Sequence, residues 1–120
     1  MNLRFSEPFF VENSRVPVWL SCLSPINIGA ITLGPFVLSR GTMTRTTRVH
    51  ETIHWQQYIE LGILGFPLLY LVYWLIGLAK YQSAEIAYYQ IPFEQEAYKH
   101  ETNPYYVLTR NRWCWRKYKI

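Results

Sequence analysis

The feature that most constrains the fold is an apolar stretch, LGILGFPLLYLVYWLIGLA, which runs from Leu61 to Ala79. It contains no charged residue, and its length is that of a transmembrane helix. Pro67 removes a backbone N–H inside it, so we expect a kink or break there and a bent helix over residues 68–81. A helix that is apolar on every side is hard to hide in so small a domain. Residues 61–81 are therefore predicted to lie in a core or oligomer interface, on a membrane surface, or across a membrane.

The rest of the chain predicts one mostly helical α+β domain over residues 1–120. Residues 1–25 are expected to be irregular because prolines punctuate them. Residues 26–39, INIGAITLGPFVLS, are rich in β-branched residues and interrupted by glycine, which predicts a β-hairpin. A helical core is expected over residues 46–101, with Pro92 as the first residue of a new helix. Residues 105–120 form a basic, aromatic tail.

A helix over residues 46–61 carries the sequence HETIH, in which His50, Glu51 and His54 match the pattern H-E-x-x-H. Residues i and i+4 share one helix face, so both imidazoles can reach one metal ion. Glu51 lies roughly 100° around the helix from His50, where a general base can reach a metal-bound water. Zinc lowers the pKa of such a water to about 7. The pattern therefore predicts a site for one zinc ion, and the alternative is a surface helix that holds two histidines.

A catalytic zinc site needs a third protein ligand. Glu60 is rejected because, without a turn in the chain, it points away from His50 and His54. Glu94 lies in the first turn of the helix that begins near Pro92 and shares a stripe with Ala97, Tyr98 and Glu101. The small side chain of Ala97 would let two helices approach closely. Glu94 is therefore the predicted third ligand, although an acid near a helix N-terminus is also favoured by the helix dipole alone.

H-E-x-x-H followed by E-x-x-A on a later helix resembles the gluzincin metallopeptidases, whose second motif usually reads E-x-x-A-[DN]. Glu94 to Ala97 fit its first four positions, and Tyr98 stands where the acid or amide is expected. The resemblance implies a minimal zincin-like fold and a zinc metalloendopeptidase in which Tyr98 supports His50. The order of motifs along most of the chain is also similar to small uncharacterised H-E-x-x-H proteins of bacterial and tailed-phage genomes.

Four further residues are candidates for supporting roles. Gln57 lies on the face of His50 and His54, where it would donate to a ligand, line the substrate cleft or simply be solvated. Metallopeptidases often stabilise the oxyanion with His, Tyr or Arg. His100, Tyr98 and Arg110 compete for this role here.

Zinc binding restricts how the apolar stretch can meet a membrane. A single crossing by residues 61–79 would place His50 and Glu94 on opposite sides, roughly 30 Å apart. They could not then share an ion. A zinc site therefore requires that the chain turn back.

Charge and cysteine content leave several partners open. The net charge is +4, with arginines before the HETIH motif and basic residues crowding the C-terminus. This suits an anionic surface without requiring one. Arg and Trp interleave in RNRWCWRKYK, but nucleic acid is an unlikely partner because no known module is present. Cys22 and Cys114 have no paired spacing and are expected to be free thiols.

Two functions from different classes follow. The first is a zinc-dependent metallopeptidase that acts on a peptide or protein. The second is a non-catalytic interaction protein, such as a phage-particle component or membrane-associated module, with a structural or vestigial zinc site. Glu51 discriminates between them because a structural zinc has no use for it. No signal peptide is visible, so a cytoplasmic, membrane-associated or phage-particle location stays open.

Overall fold

A computed structural model describes residues 7–23 and 28–120 and has the predicted α+β, mostly helical fold. The elements are β1 (Phe9–Val11), α1 (Val16–Leu23), β2 (Ala30–Leu33), β3 (Phe36–Ser39), α2 (Arg45–Tyr81), α3 (Ala84–Gln90), α4 (Pro92–His100), α5 (Tyr106–Thr109) and a 3-10 helix (Cys114–Lys117). The irregular structure predicted for residues 1–6, 24 and 25, and the first two residues of the predicted hairpin, lie outside the described residues.

The sheet has the strand order β1-β3-β2. The antiparallel pair β2 and β3 is the predicted hairpin, and Gly34 allows its tight turn with φ of +59°. β1 adds to β3 in parallel, with Phe9 opposite Phe36. The prediction that residues 1–25 are irregular is wrong for β1 and α1. Pro17 does not interrupt α1 because it lies in the first turn, where a missing N–H costs nothing.

α2 consists of two segments that meet at Gly62. Thr44 caps the first segment by accepting a hydrogen bond from the Thr47 amide at 3.1 Å. Gly62 then leaves helical geometry with φ of 85° and ψ of 167°, which is accessible essentially to glycine alone. The prediction of a break at Pro67 is therefore wrong in position. Pro67 lies inside the second segment, four residues after Ile63, and the helix continues through it.

The second segment turns the chain back toward the first through α3 and α4. Gly77 permits close packing on α3, since a Cβ there would lie 3.1 Å from the Ala87 Cα. Pro92 begins α4, as predicted. One apolar cluster joins both α2 segments to α4 and the tail, and consists of Tyr58, Phe66, Ile91, Phe93 and Trp115. A smaller cluster of Val49, Ile53 and Ala97 holds the first segment against α4.

α2 is the one helix among the described residues that is long and apolar enough to span a membrane by length and composition. Only 11% of its apolar window is buried. The residues on either side of the apolar stretch nevertheless meet, because His50 and Glu94 are in contact. A simple crossing by residues 61–79 is incompatible with that contact.

Candidate metal centre

Three buried side chains from two helices converge on one point. His50 and His54 lie one turn apart on the buried face of α2, and Glu94 lies in the first turn of α4. The Glu94 Oε1 atom is 3.0 Å from His50 Nε2 and 3.1 Å from His54 Nε2, and the two Nε2 atoms are 3.2 Å apart. These residues form the one group of three or more potential ligands found in the described part of the chain.

The donor set and its spacing fit a zinc ion. Two imidazoles and a carboxylate are a known ligand set for catalytic zinc. Donor atoms about 2.0–2.2 Å from one tetrahedral ion lie roughly 3.3 Å from each other. The three observed separations, 3.0 to 3.2 Å, are close to that value.

The electrostatics of the group favour an ionised Glu94. Burial raises the pKa of Glu94, but the charges and hydrogen bonds of the two histidines outweigh burial and hold this pKa well below its usual range. Burial lowers the pKa of His54, but the Glu94 carboxylate raises it by more, to about 9. Burial also lowers the pKa of His50, but its hydrogen bond to Glu94 helps to raise this pKa above its ordinary value. A cation at this point would offset the carboxylate charge and compete with protonation of the two histidines.

Each histidine is held from behind by a second oxygen. His50 Nδ1 lies 2.8 Å from Glu101 Oε2, and His54 Nδ1 lies 2.8 Å from Gln57 Oε1. An N–H on each Nδ1 atom would donate to these acceptors and leave both Nε2 atoms free to bind a metal ion. Gln57 is fully buried and also donates to Glu96 Oε1 at 3.0 Å. The alternative of a solvated Gln57 is therefore wrong.

Glu94 and Glu51 are each oriented by a hydroxyl group. Tyr70, on the second segment of α2, donates to Glu94 Oε2 at 2.7 Å. Burial and the Glu94 charge raise the pKa of Tyr70 well above its ordinary value, so this residue stays a donor. Thr32 on β2 donates to Glu51 Oε2 at 2.6 Å. Glu51 is thus held beside the three converging residues without being one of them.

The centre opens into a cleft of about 1060 Å³ between the sheet and the helices. β2 forms one wall, and residues of both α2 segments and of α3 form the others. β2 is an edge strand of the sheet, with β3 on one side. The three candidate ligands line this cleft. Other residues that line it include Glu51, Phe66, Tyr70, Trp74, Tyr88 and Tyr98.

Three residues that were predicted to have supporting roles make other contacts in the structure. The Tyr98 hydroxyl pairs with Tyr88 at 2.8 Å, and its ring packs edge-on against His50 with centroids 4.5 Å apart. Glu101 therefore takes the place that Tyr98 was expected to fill. His100 stacks on Tyr106 and is not part of the cleft lining. Arg110 is buried in a different cluster, and neither it nor His100 lines the cleft.

That cluster consists of Arg110 between two carboxylates. Its guanidinium donates to Glu60 at 2.6 and 3.0 Å and to Glu96 at 3.1 Å. Burial lowers the pKa of Arg110, but the two carboxylates outweigh it and raise this pKa above its usual range. Glu60, rejected as a ligand, also accepts from the Trp115 indole at 3.1 Å. This cluster lies behind the metal centre and is joined to it through Gln57 and Glu96.

Glu101, Tyr70 and Thr32 were missed as supporting residues. Glu101 had a signal, because it lies two turns after Glu94 on the same stripe. Tyr70 and Thr32 lack a local signal, since they come from the apolar stretch and the hairpin. Cys22 and Cys114 are free, as predicted.

No protein-family model matches this chain, and no curated protein or solved structure matches it either. Function must therefore be inferred from the site itself.

Proposed function

We propose that the protein is a zinc-dependent metallopeptidase of minimal gluzincin type. The observation that carries the proposal is the convergence of His50, His54 and Glu94 in a buried group that opens into a large cleft. Glu51 lines the same cleft and is not needed to complete the ligand set. A glutamate in this position suits a general base and has no purpose in a structural metal site.

Each residue has a distinct role in this proposal. His50, His54 and Glu94 would hold one zinc ion, which supplies a water of lowered pKa and polarises the peptide carbonyl. Glu51, oriented by Thr32, would act as the general base for the attacking water. Glu101 and Gln57 fix the rings of the two histidines. Tyr70 fixes the Glu94 carboxylate through its hydroxyl.

The substrate is a peptide or protein segment in an extended conformation. β2 has an edge that is not paired with β3 and lies along the cleft. Its backbone groups could pair with an extended chain and bring a peptide carbonyl to the site. The tyrosine and tryptophan side chains in the cleft wall favour apolar side chains on the substrate.

A non-catalytic interaction protein is the alternative, and the exposed apolar side chains of α2 support it. In that case the same three ligands would bind a structural zinc ion, or none.

The decisive experiment measures bound zinc and peptide cleavage in the same variants. We expect about one zinc per purified chain, and loss of that zinc in His54→Ala and Glu94→Ala, because two remaining donors bind zinc weakly. Glu51→Gln keeps an oxygen for Thr32 to contact and should retain zinc. Cleavage of a library of extended peptides, followed by mass spectrometry, should fall by about 10²–10⁴-fold in Glu51→Gln.

The matched control is Glu85→Gln, which replaces an exposed glutamate of α3 that does not line the cleft. It should keep both zinc and activity. Absence of zinc after purification without chelators would overturn the proposal. Bound zinc without peptide cleavage would favour the non-catalytic alternative. Cleavage that survives in Glu51→Gln would mean that another residue is the general base.

A further inference from the structure

The second segment of α2 leaves one face uncovered. Between Ile63 and Ile76 its exposed side chains, apart from Pro67, are large and apolar, and they range from 48% exposed for Val72 to 75% for Leu64. Together they form the apolar face of α2: Ile63, Leu64, Leu68, Leu71, Val72, Leu75 and Ile76. The opposite side of the same segment packs against the core through Phe66, Tyr73 and Trp74. Soluble monomers rarely leave so continuous an apolar stripe in water.

The surface of the described residues is more cationic than the net charge suggests, because the protein buries several of its acids. Glu51, Glu94 and Glu96 are buried, and the Glu60 side chain is only 4% exposed. Among the residues that the structure describes, only two glutamates are exposed, Glu7 and Glu85. The exposed basic residues are Arg15, Arg40, Arg45, Lys80, Lys99, Arg112, Arg116, Lys117 and Lys119.

Basic residues lie near both ends of the apolar face. Lys80 follows its last turn and donates to the Ile120 carbonyl at 2.9 Å, which brings the basic C-terminal residues there. At the other end, Arg112 and Trp113 lie against Glu60, two residues before Gly62. An apolar stripe flanked by cations and a tryptophan is the arrangement that binds the headgroup region of an anionic membrane.

We propose that the apolar face of α2 docks the protein onto an anionic lipid bilayer, with the helix lying in the interface. A second copy of the chain fits the face less well, because pairing would bring together the like charges that flank the two faces. Full insertion is disfavoured by the other side of the segment, which is occupied by the core and the metal centre.

Docking would also place the cleft at the lipid surface, because Leu71 belongs both to the apolar face and to the cleft lining. Substrates would then be polypeptide segments that emerge from or lie on the bilayer. This consequence rests on the metallopeptidase proposal, whereas docking itself does not.

The test is co-sedimentation of the full chain with vesicles of phosphatidylcholine containing phosphatidylserine, compared with phosphatidylcholine alone. The variant Leu64→Gln/Leu68→Gln/Leu75→Gln changes exposed side chains only, so its fold should persist. The matched control, Val11→Gln/Val18→Gln/Leu108→Gln, changes three exposed apolar residues elsewhere. Circular dichroism verifies the fold of both.

We expect the native chain and the control to bind the anionic vesicles, with weaker binding at high salt and to phosphatidylcholine alone. The face variant should bind at least tenfold more weakly. Glu51→Gln should bind normally, which separates docking from catalysis. Unchanged binding of the face variant would overturn the proposal. A native chain that binds neither kind of vesicle would also overturn the proposal. If ultracentrifugation then shows a dimer that the face variant abolishes, a second copy of the chain covers the face.

Discussion

At the scale of single residues, the centre depends on groups that do not themselves converge on the metal position. Glu101 and Gln57 each offer an oxygen to the back of one histidine ring, and Tyr70 and Thr32 each offer a hydroxyl to one carboxylate. Such contacts restrict ring and carboxylate orientation before an ion binds, and so reduce the ordering that binding requires. We expect the loss of these contacts to lower the affinity for a metal ion more than it lowers the stability of the fold.

Substitution of Glu101 tests this expectation. Glu101→Ala removes the acceptor 2.8 Å from His50 Nδ1 and should lower zinc affinity by about 10–100-fold. Glu101→Gln keeps an oxygen acceptor and should lose less. Competition with a chromophoric chelator measures both affinities, with Glu85→Ala as the exposed control. Native affinity in Glu101→Ala would mean that packing against the Tyr98 ring is enough to hold His50.

At the scale of elements, the geometry of the site depends on the break in α2. Gly62 lets the second segment leave the axis of the first, and Tyr70 can then reach Glu94. Two nearby glycines should therefore respond oppositely to alanine. Gly62→Ala meets no atom within 4 Å, but its φ of +85° should cost about 1–3 kcal/mol of unfolding free energy.

Gly65 is the control, because it lies within the helix and an added Cβ would make an ordinary contact with Leu61 at 3.4 Å. Gly65→Ala should raise the unfolding free energy by about 0.5–1 kcal/mol. Urea unfolding measures the change in unfolding free energy, which should be a decrease in Gly62→Ala and an increase in Gly65→Ala. Destabilisation by both alanines to the same extent would indicate that the break is not fixed by the backbone conformation of Gly62.

The sequence predicts the elements whose signals are local. The helix that carries HETIH was predicted almost to its ends because it contains no Gly or Pro and is followed by Gly62. Glu94 was found because α4 starts at a proline and is short enough for its faces to be assigned. β1 was missed because its pairing comes from β3, far along the chain. Tyr98 was expected to support His50 because it stands at the fifth position of the E-x-x-A-[DN] motif, whereas the packing of α4 on α2 brings Glu101 to His50.

At the scale of the whole molecule, one buried ionic cluster fastens the C-terminal tail to the helical core. Glu60 belongs to α2, Glu96 to α4 and Arg110 to the tail, and the Arg110 side chain is only 1% exposed. Tyr106 donates to Glu96 at 2.8 Å, and Trp115 donates to Glu60. Trp115, one of the tail aromatics that suggested stacking on nucleic acid, is buried in the core, where it cannot stack on a base.

Removal of the cation from this cluster should be costly. Arg110→Ala leaves two buried carboxylates without their partner and should reduce the unfolding free energy by about 3–5 kcal/mol. The control Arg112→Ala changes an exposed neighbour and should stay within about 0.5 kcal/mol of the native chain. Urea denaturation measures both values.

The triple variant Glu60→Gln/Glu96→Gln/Arg110→Met separates the cost of stranded charge from the loss of packing. Its amides keep oxygens for Tyr106 and Trp115 to contact, and no charge remains in this cluster, so most of the stability lost in Arg110→Ala should return. Because Gln57 links Glu96 to His54, zinc affinity should fall in Arg110→Ala and recover with the fold in the triple variant. If the triple variant were as unstable as Arg110→Ala, the shape of the arginine, not its charge, would hold the tail in place.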